Sequence, residues 1–383
     1  MSLTLTLDQP SADEQIRTWT RTHPAWGASY PLDKYLERER HLLDVPLARD
    51  GGITQWILTD PSLSHADDQR PVLSSCETLR KAAFVRGADG VVQRVWAHGV
   101  ASVFTYPEFR SQGYARTMLE LITQRLTREE SELPGDAAFS ILFSDIGKTY
   151  YAALGWKPYE SAHLSLPVMA TNTTTGDDSA SRTALTLITD DNLPALAARD
   201  EELLHQKLSR PPHDPSKTRV AIIPDLDTFQ WHFAREVHMC QHHFSRAPTV
   251  HGAIYTPPGG ASDGQRVWAV WSSTQNGGKE KPEKNVMYIL RFVVEDQRIS
   301  DEELSVAFKN IVNVAKREAR EWLCTSIDMW NPDERIKALV SGMADLQAKL
   351  VVRENDNIPS LRWLGDASAS DIEWLANERF EWC

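Results

Sequence analysis

Residues Trp96 to Leu126, WAHGVASVFTYPEFRSQGYARTMLELITQRL, constrain this chain more than any other stretch. An apolar run from Val100 to Thr105 meets a turn at Tyr106, Pro107 and Glu108. Arg110-Ser111-Gln112-Gly113-Tyr114-Ala115 follows, and then apolar residues at helical spacing: Ala115, Met118, Leu119, Ile122 and Leu126. The pattern predicts a strand, a turn and a helix, with a small-residue loop at the helix start. Such a loop aims several backbone N–H groups and the positive end of a helix dipole at one point, which suits a pyrophosphate. Gly113 removes the Cβ that would block close approach of an anion, and Ala115 keeps the first turn slim. An Arg-x-x-Gly-x-Ala string is also found in ordinary tight strand-to-helix turns, so its context decides.

The chain has 383 residues, 41% of them hydrophobic, enough for a sizeable core and for two domains. A formal charge of −12 argues against nucleic acid as the partner and favours cationic small molecules. The start, MSLTLTLDQPSADEQ, lacks a basic flank followed by an apolar stretch, and nowhere do about 18 apolar residues run together, as a membrane span needs. A cytoplasmic protein with no membrane partner is expected. Cys76, Cys240, Cys324 and Cys383 lie far apart, as reduced thiols do.

Before the organising stretch, residues 11–49 read as largely helical, GGITQWILTD as a short strand and VLSSCETLRKAAFVRG as a second, with Gly87 to Gly90 as its hairpin turn. After it come the interior strand AAFSILFS, then DIGKTYYAALGWKPY as a helix with Asp145 as N-cap and Gly155 as C-cap, then the strand HLSLP. Residues 168–184 are small and polar, which places a linker there between a domain at 1–167 and one at 185–383. The second half repeats the order of strand NVMYILRFVVED, helix, strand CTSIDMW and helix. Where the glycine loop should stand it has EDQRIS, as in a duplicated copy that has lost its phosphate site.

These residues resemble the GNAT superfamily of N-acetyltransferases. Arg110, Gly113 and Ala115 fit its Q/R-x-x-G-x-G/A acetyl-CoA loop, and Tyr150-Tyr151-Ala152-Ala153-Leu154-Gly155-Trp156 is close to its FYxxLGF pattern. The layout of the whole chain is similar to the fungal lysine N6-acetyltransferase family, notably in CETLRKAAFV, VASVFTYPEFRSQGYA and FSDIGKTYYAALGW. The resemblance implies an α+β fold of tandem GNAT-like domains, each a mixed twisted sheet flanked by helices, with a degenerate C-terminal copy completing the substrate pocket.

It also implies acetyl-CoA as cosubstrate, held by Val103, Phe104, Thr105, Arg110, Ser111, Gln112, Gly113, Tyr114 and Ala115, and a small-molecule amine as acceptor, with the N6 amine of free L-lysine first. Other small amines, a protein or histone amine, and a non-catalytic acyl-CoA-binding protein are the alternatives. Tyr151 occupies the place of the general acid, and Tyr150 is expected to be core. A lysine-type ammonium must lose a proton first, at a cost of roughly 4–5 kcal/mol at pH 7.

For the base, Glu77 lies on a strand expected beside the active-site strand. The carboxylate of Cys383 is a second candidate, by likeness to other tandem-GNAT enzymes, and water a third. His98 sits at the distal start of its strand, and Glu108 lies beside the cofactor phosphates. His238 and His242, with Cys240 between them, share a helix face but lack a third ligand at a compatible offset, so no metal is expected. The runs Asp200–Glu202 and Lys279–Lys284 read as solvated surface.

Overall fold

The computed structural model describes residues 4–62, 70–87, 89–127, 137–168, 185–211, 214, 217–257, 265–365 and 372–383. The linker expected at 168–184 lies, apart from Val168, outside the described residues.

The first half runs β1 (Thr6–Asp8), α1 (Ala12–Trp26), α2 (Leu32–Leu43), β2 (Ile53–Thr59), β3 (Ser74–Arg86), β4 (Val92–Thr105), α3 (Tyr114–Leu126), β5 (Ala137–Ser144), β6 (Lys157–Pro158) and β7 (Ala162–Pro167). The second runs β8 (Leu185–Ile188), α4 (Leu193–Ser209), β9 (Thr218–Ile222), α5 (Leu226–Phe244), β10 (Gly252–Tyr255), β11 (Val267–Gln275), β12 (Asn285–Val294) and α6 (Asp301–Glu321). It ends with β13 (Ser326–Trp330), α7 (Glu334–Ser341), β14 (Lys349–Val352), β15 (Ile358–Trp363) and β16 (Ile372–Trp374). The fold is α+β with two mixed sheets.

Each sheet contains the same series of pairings. β2, β3 and β4 are antiparallel neighbours and β4 runs parallel to β5, with α3 as the crossover. β10, β11 and β12 are antiparallel neighbours and β12 runs parallel to β13, with α6 as the crossover. The two sheets also exchange strands. The first has the order β1-β2-β3-β4-β5-β15-β6, with β9 paired to the far end of β3 and β16 paired to β9, and the second has β14-β7-β13-β12-β11-β10-β8. Thus β7 joins the sheet of the second half, while β9, β15 and β16 join that of the first. The core follows this exchange: Ala97, Phe139 and Ile141 of the first sheet pack in one cluster with Trp268, Val270 and Leu290 of the second, around Phe229, Phe233 and Phe380.

Two expectations are corrected. Residues 145–155 form a short 3-10 turn over Ala152–Leu154 and not a helix, because Gly147 and Gly155 both take positive φ, 78° and 95°. Asp145 caps no helix; its carboxylate accepts the Asn357 N–H at 3.0 Å, at the approach to β15. Asp200 is fully buried and not solvated, because Arg291, on β12 of the same half, donates to both of its oxygens at 2.8 and 2.9 Å.

Candidate active site

β4 pairs with β5 from Trp96 to Gly99, the last partners being Gly99 and Ile141. Beyond that point the two strands part, although β4 continues to Thr105 and stays paired with β3 as far as Ser74. The edge of β4 that faces β5 therefore loses its ladder over Val100–Thr105, and its backbone groups are left to pair with something else. Within the same stretch two β4 residues, Ser102 and Val103, stand opposite Cys76 alone, a bulge in which Ser102 takes φ 53°. The bulge directs the Ser102 hydroxyl onto Glu77, at 2.6 Å.

The strand leads into the predicted loop. A 3-10 turn, Pro107–Phe109, precedes Ser111 at φ 62° and Gly113 at φ 82°, and α3 begins at Tyr114 without a side-chain cap. The uncapped first turn leaves N–H groups facing an exposed loop, the arrangement that binds pyrophosphate. Nothing lies within 4 Å of where a Gly113 Cβ would stand, so on the protein's side it is the left-handed backbone that requires glycine. Arg110 folds back, its Nε on the Thr105 carbonyl at 3.1 Å and its guanidinium over the Phe104 ring, so it braces the loop. The Tyr114 ring is buried in the α3 core and its hydroxyl donates to Gln112. That leaves Ser111, Gln112, Gly113 and Ala115, with Val103, Phe104 and Thr105 before them, to present backbone to a ligand. The residues present fit a coenzyme with an amide arm and a pyrophosphate.

A cleft of about 510 Å³ opens at the parting of β4 and β5, and Glu77, Tyr151 and Cys383 all line it. Glu77 accepts hydrogen bonds from Ser102 Oγ and Gln55 Nε2, both at 2.6 Å; burial raises its pKa and these bonds oppose the rise. A carboxylate of raised pKa suits a base. Tyr151 is 9% exposed, and burial raises its pKa, so it keeps its proton. Its carbonyl accepts from both Leu154 and Trp156, at 3.0 Å each, which fixes the residue beside the cleft. Tyr150 packs against it edge-on and is outside the lining.

Cys383 lies over β4, where a Cβ on Gly99 would stand 2.7 Å from its sulfur. Burial pushes its thiol pKa up to about 11, so the side chain is not a thiolate nucleophile. Fully buried Phe380 and Glu381 hold the preceding residues, with Trp374 donating to Glu381 and His232 bonded to the Phe380 carbonyl.

Among the other sequence candidates, His98 is 2% exposed and outside the cleft lining, and burial and Arg80 push its pKa down to about 4. Glu108 is exposed and ion-paired with Arg21. His238 is bonded to the Tyr30 hydroxyl at 2.9 Å and Cys240 is buried in the core of the second sheet. Among the described residues no group of three or more His, Cys, Asp or Glu is placed to hold a metal ion.

The sequence did not point to Gln55 and Ser102, whose hydrogen bonds hold the Glu77 carboxylate and oppose the effect of its burial, or to Arg38, Glu39, Trp231 and Arg235, which α2 and α5 bring to the cleft. Only the alternation of β2 and β3, which places Gln55 opposite Glu77, carried a signal for any of them.

Residues 163–383, more than half of the chain, match the family model described as LYC1 GNAT-like C-terminal domain. The chain is 22% identical over 408 residues to an uncharacterized protein of Saccharomyces cerevisiae, covering 97% of this chain and 96% of the relative. It is 24% identical over 276 residues to a protein of Yarrowia lipolytica named lysine acetyltransferase, covering 63% of this chain and 68% of that one. Among solved structures it superposes on a probable N-acyltransferase of Enterococcus faecalis V583 with a TM-score of 0.52 at 13% identity, over 95% of this chain and 73% of that chain. A GCN5-related N-acetyltransferase of Kribbella flavida gives a TM-score of 0.51 at 13% identity, over 94% and 72%. At those identities the likeness is one of fold. With more than half of its length matched by the family model and a parted β4–β5 edge leading into an uncapped loop, the chain belongs to the LYC1 GNAT-like family and is a GNAT acetyltransferase.

Proposed function

We propose that the protein transfers an acetyl group from acetyl-CoA to the N6 amine of free L-lysine by direct attack within a ternary complex. The observation that carries this reading is the meeting of Glu77 and Tyr151 in one cleft at the parting of β4 and β5. The name of the Yarrowia relative supports lysine as the amine.

Bound in the slot, acetyl-CoA supplies a thioester. The backbone of Val103 to Thr105 and the loop through Ala115 orient it, and unpaired N–H groups of β4 stabilise negative charge on the carbonyl oxygen. Glu77 removes the proton from the substrate ammonium, and the freed nitrogen forms the new C–N bond as the C–S bond breaks. Tyr151 gives its proton to the departing sulfur, and the second proton that the acylated nitrogen sheds in becoming the amide returns to the Tyr151 phenolate. Desolvation of Tyr151 suits that role, since a phenol held protonated is an acid in waiting.

The second half, which repeats the pairings of the first, completes the substrate side through α5 and the terminal residues. We assign the protein to the cytoplasm, in keeping with its four free cysteines and with the absence, among the described residues, of any helix long and apolar enough to cross a membrane.

Thiol release from acetyl-CoA against a panel of amines tests the reading. L-Lysine should be turned over, and Tyr151→Phe should lower kcat about 10²- to 10⁴-fold with little change in acetyl-CoA affinity. Acetyl-CoA binding without release for any amine refutes it. A second reading of the base is kept because Cys383 lines the same cleft. Deleting Trp382 and Cys383 decides between the two: undiminished turnover in a folded, acetyl-CoA-binding variant leaves Glu77 as the base.

A further inference from the structure

Arg235 reaches the cleft from α5. Its guanidinium lies over the Trp382 ring, 5.3 Å from the centroid, and its buried Nε has no hydrogen-bond acceptor. The side-chain carboxylates of the cleft are engaged elsewhere, and among the described residues no ion pair joins Arg235 to the terminal carboxylate of Cys383. Glu39 takes both Nε and an NH2 of Arg38, at 2.9 and 2.5 Å, and Glu77 is held by Ser102 and Gln55. Asp145 is exposed and bonded to the Asn357 N–H. Among the described residues Arg235 thus has no ion-pair partner; burial and the like charge of Arg38 push its pKa down to about 10, against the opposing charge of Glu39.

Arg235 is half-buried, and a guanidinium partly withdrawn from water without an anion carries a cost that a ligand's anion can offset. Its planar fork fits a carboxylate with two parallel hydrogen bonds. A pocket for a polyamine would gain from carboxylates and lose from a half-buried cation, which repels every amine the pocket is meant to admit.

We propose that Arg235 binds the α-carboxylate of the substrate, so that the acceptor is a diamino acid and not a simple polyamine. This deepens the reading of the same cleft as an amine acetyltransferase site and rests on it. The Arg38–Glu39 pair beside Arg235 is internally neutral, so the substrate carboxylate is the anion that balances Arg235, while the distal ammonium is left to Glu77.

The test compares L-lysine, L-lysinamide and 1,5-diaminopentane as acceptors for wild type, Arg235→Gln and Arg235→Lys, with acetyl-CoA saturating. Wild type should prefer L-lysine over both carboxylate-free amines. Arg235→Gln should raise KM for L-lysine about 10- to 100-fold, the loss of a charge-assisted bidentate contact, and collapse the preference for lysine over lysinamide. Arg235→Lys should recover part of the preference.

Two outcomes overturn the proposal: a wild type that uses lysinamide or diaminopentane as well as lysine, or an Arg235→Gln variant that loses all three amines equally. Binding is read separately, by the thermal shift that L-lysine and L-lysinamide each produce. Should no amine release thiol, the transfer reading fails. A lysine-specific shift present in wild type and absent in Arg235→Gln would then still uphold the carboxylate site, and equal shifts by the two ligands would sink it.

Discussion

The backbone N–H of Phe292 donates to the carboxylate of Glu378 at 3.0 Å, and the same carboxylate is ion-paired with Arg291. In the second sheet β12 runs beside β13 only as far as Ile289 and Met329. Past that point the edge of β12 is closed by Glu378, a residue of the chain itself. At the corresponding place in the first sheet, β4 beyond Gly99, among the described residues no strand of the chain takes the β5-facing edge. One half therefore offers a backbone edge to a ligand while the other has filled its own.

The protein is accordingly expected to bind one acetyl-CoA per chain, as calorimetric titration would show. Glu378→Gln should lower stability by about 2–4 kcal/mol, because Arg291 and the Phe292 N–H lose a buried anion while Asp200 keeps part of the pairing. It should leave the stoichiometry at one. A second binding event in this variant would show that the second edge is blocked by Glu378 alone.

Gly113→Ala meets open space, so its effect isolates backbone strain at φ 82°. A loss of about 1–2 kcal/mol in stability is expected. KM for acetyl-CoA should rise with KM for the amine unchanged, which steady-state kinetics with each substrate varied in turn will read.

As the proposed base, Glu77 is expected to set the acid limb of the pH–rate profile. Its folded pKa lies above the ordinary value of 4.5, so activity should fall as pH drops through that raised value, at a higher pH than a solvated glutamate would give. The same shift makes the folded protein hold this proton more tightly than the unfolded chain does. The stability it contributes is complete below about 4.5 and is lost as pH rises through the folded value. Glu77→Gln should therefore lose the acid limb, lower kcat about 10²- to 10⁴-fold, and show a smaller decline in Tm from pH 5 to 8 than wild type.

Gly99→Ala would place a Cβ 2.7 Å from Cys383 Sγ and 3.3 Å from its Cβ. The terminal residues must then shift, at a cost of about 1–3 kcal/mol, and turnover should fall with them. Cys383→Gly in the same chain removes both clashing atoms and should restore most of the lost stability, a coupling that a double-mutant cycle measures.

What was legible in the sequence was local. The apolar runs of β3, β4 and β5 and the helical spacing in α3 and α6 carry their periods within one segment. The loop from Arg110 to Ala115 could be read because its conformation depends on Gly113 itself. Glu77 was named from its expected strand and Tyr151 and Cys383 from the family resemblance, and all three line one cleft.

What the tertiary structure decided was everything that depends on a partner distant in sequence. The helical reading of 145–155 gave way to a turn braced from the segment before β15, where the Gly147 N–H donates to the Asn355 carbonyl. Asp200 had the look of a solvated run until Arg291 took it into the core. The exchange of β7, β9 and β15 between the sheets leaves no mark in any window of sequence, because strand pairing follows from the summed burial of both partners. For the same reason the sequence by itself held a small-residue loop and, through its resemblance, the place of an acid, while only the fold brought Gln55 and Ser102 to Glu77 and left the buried Nε of Arg235 without an acceptor in the cleft.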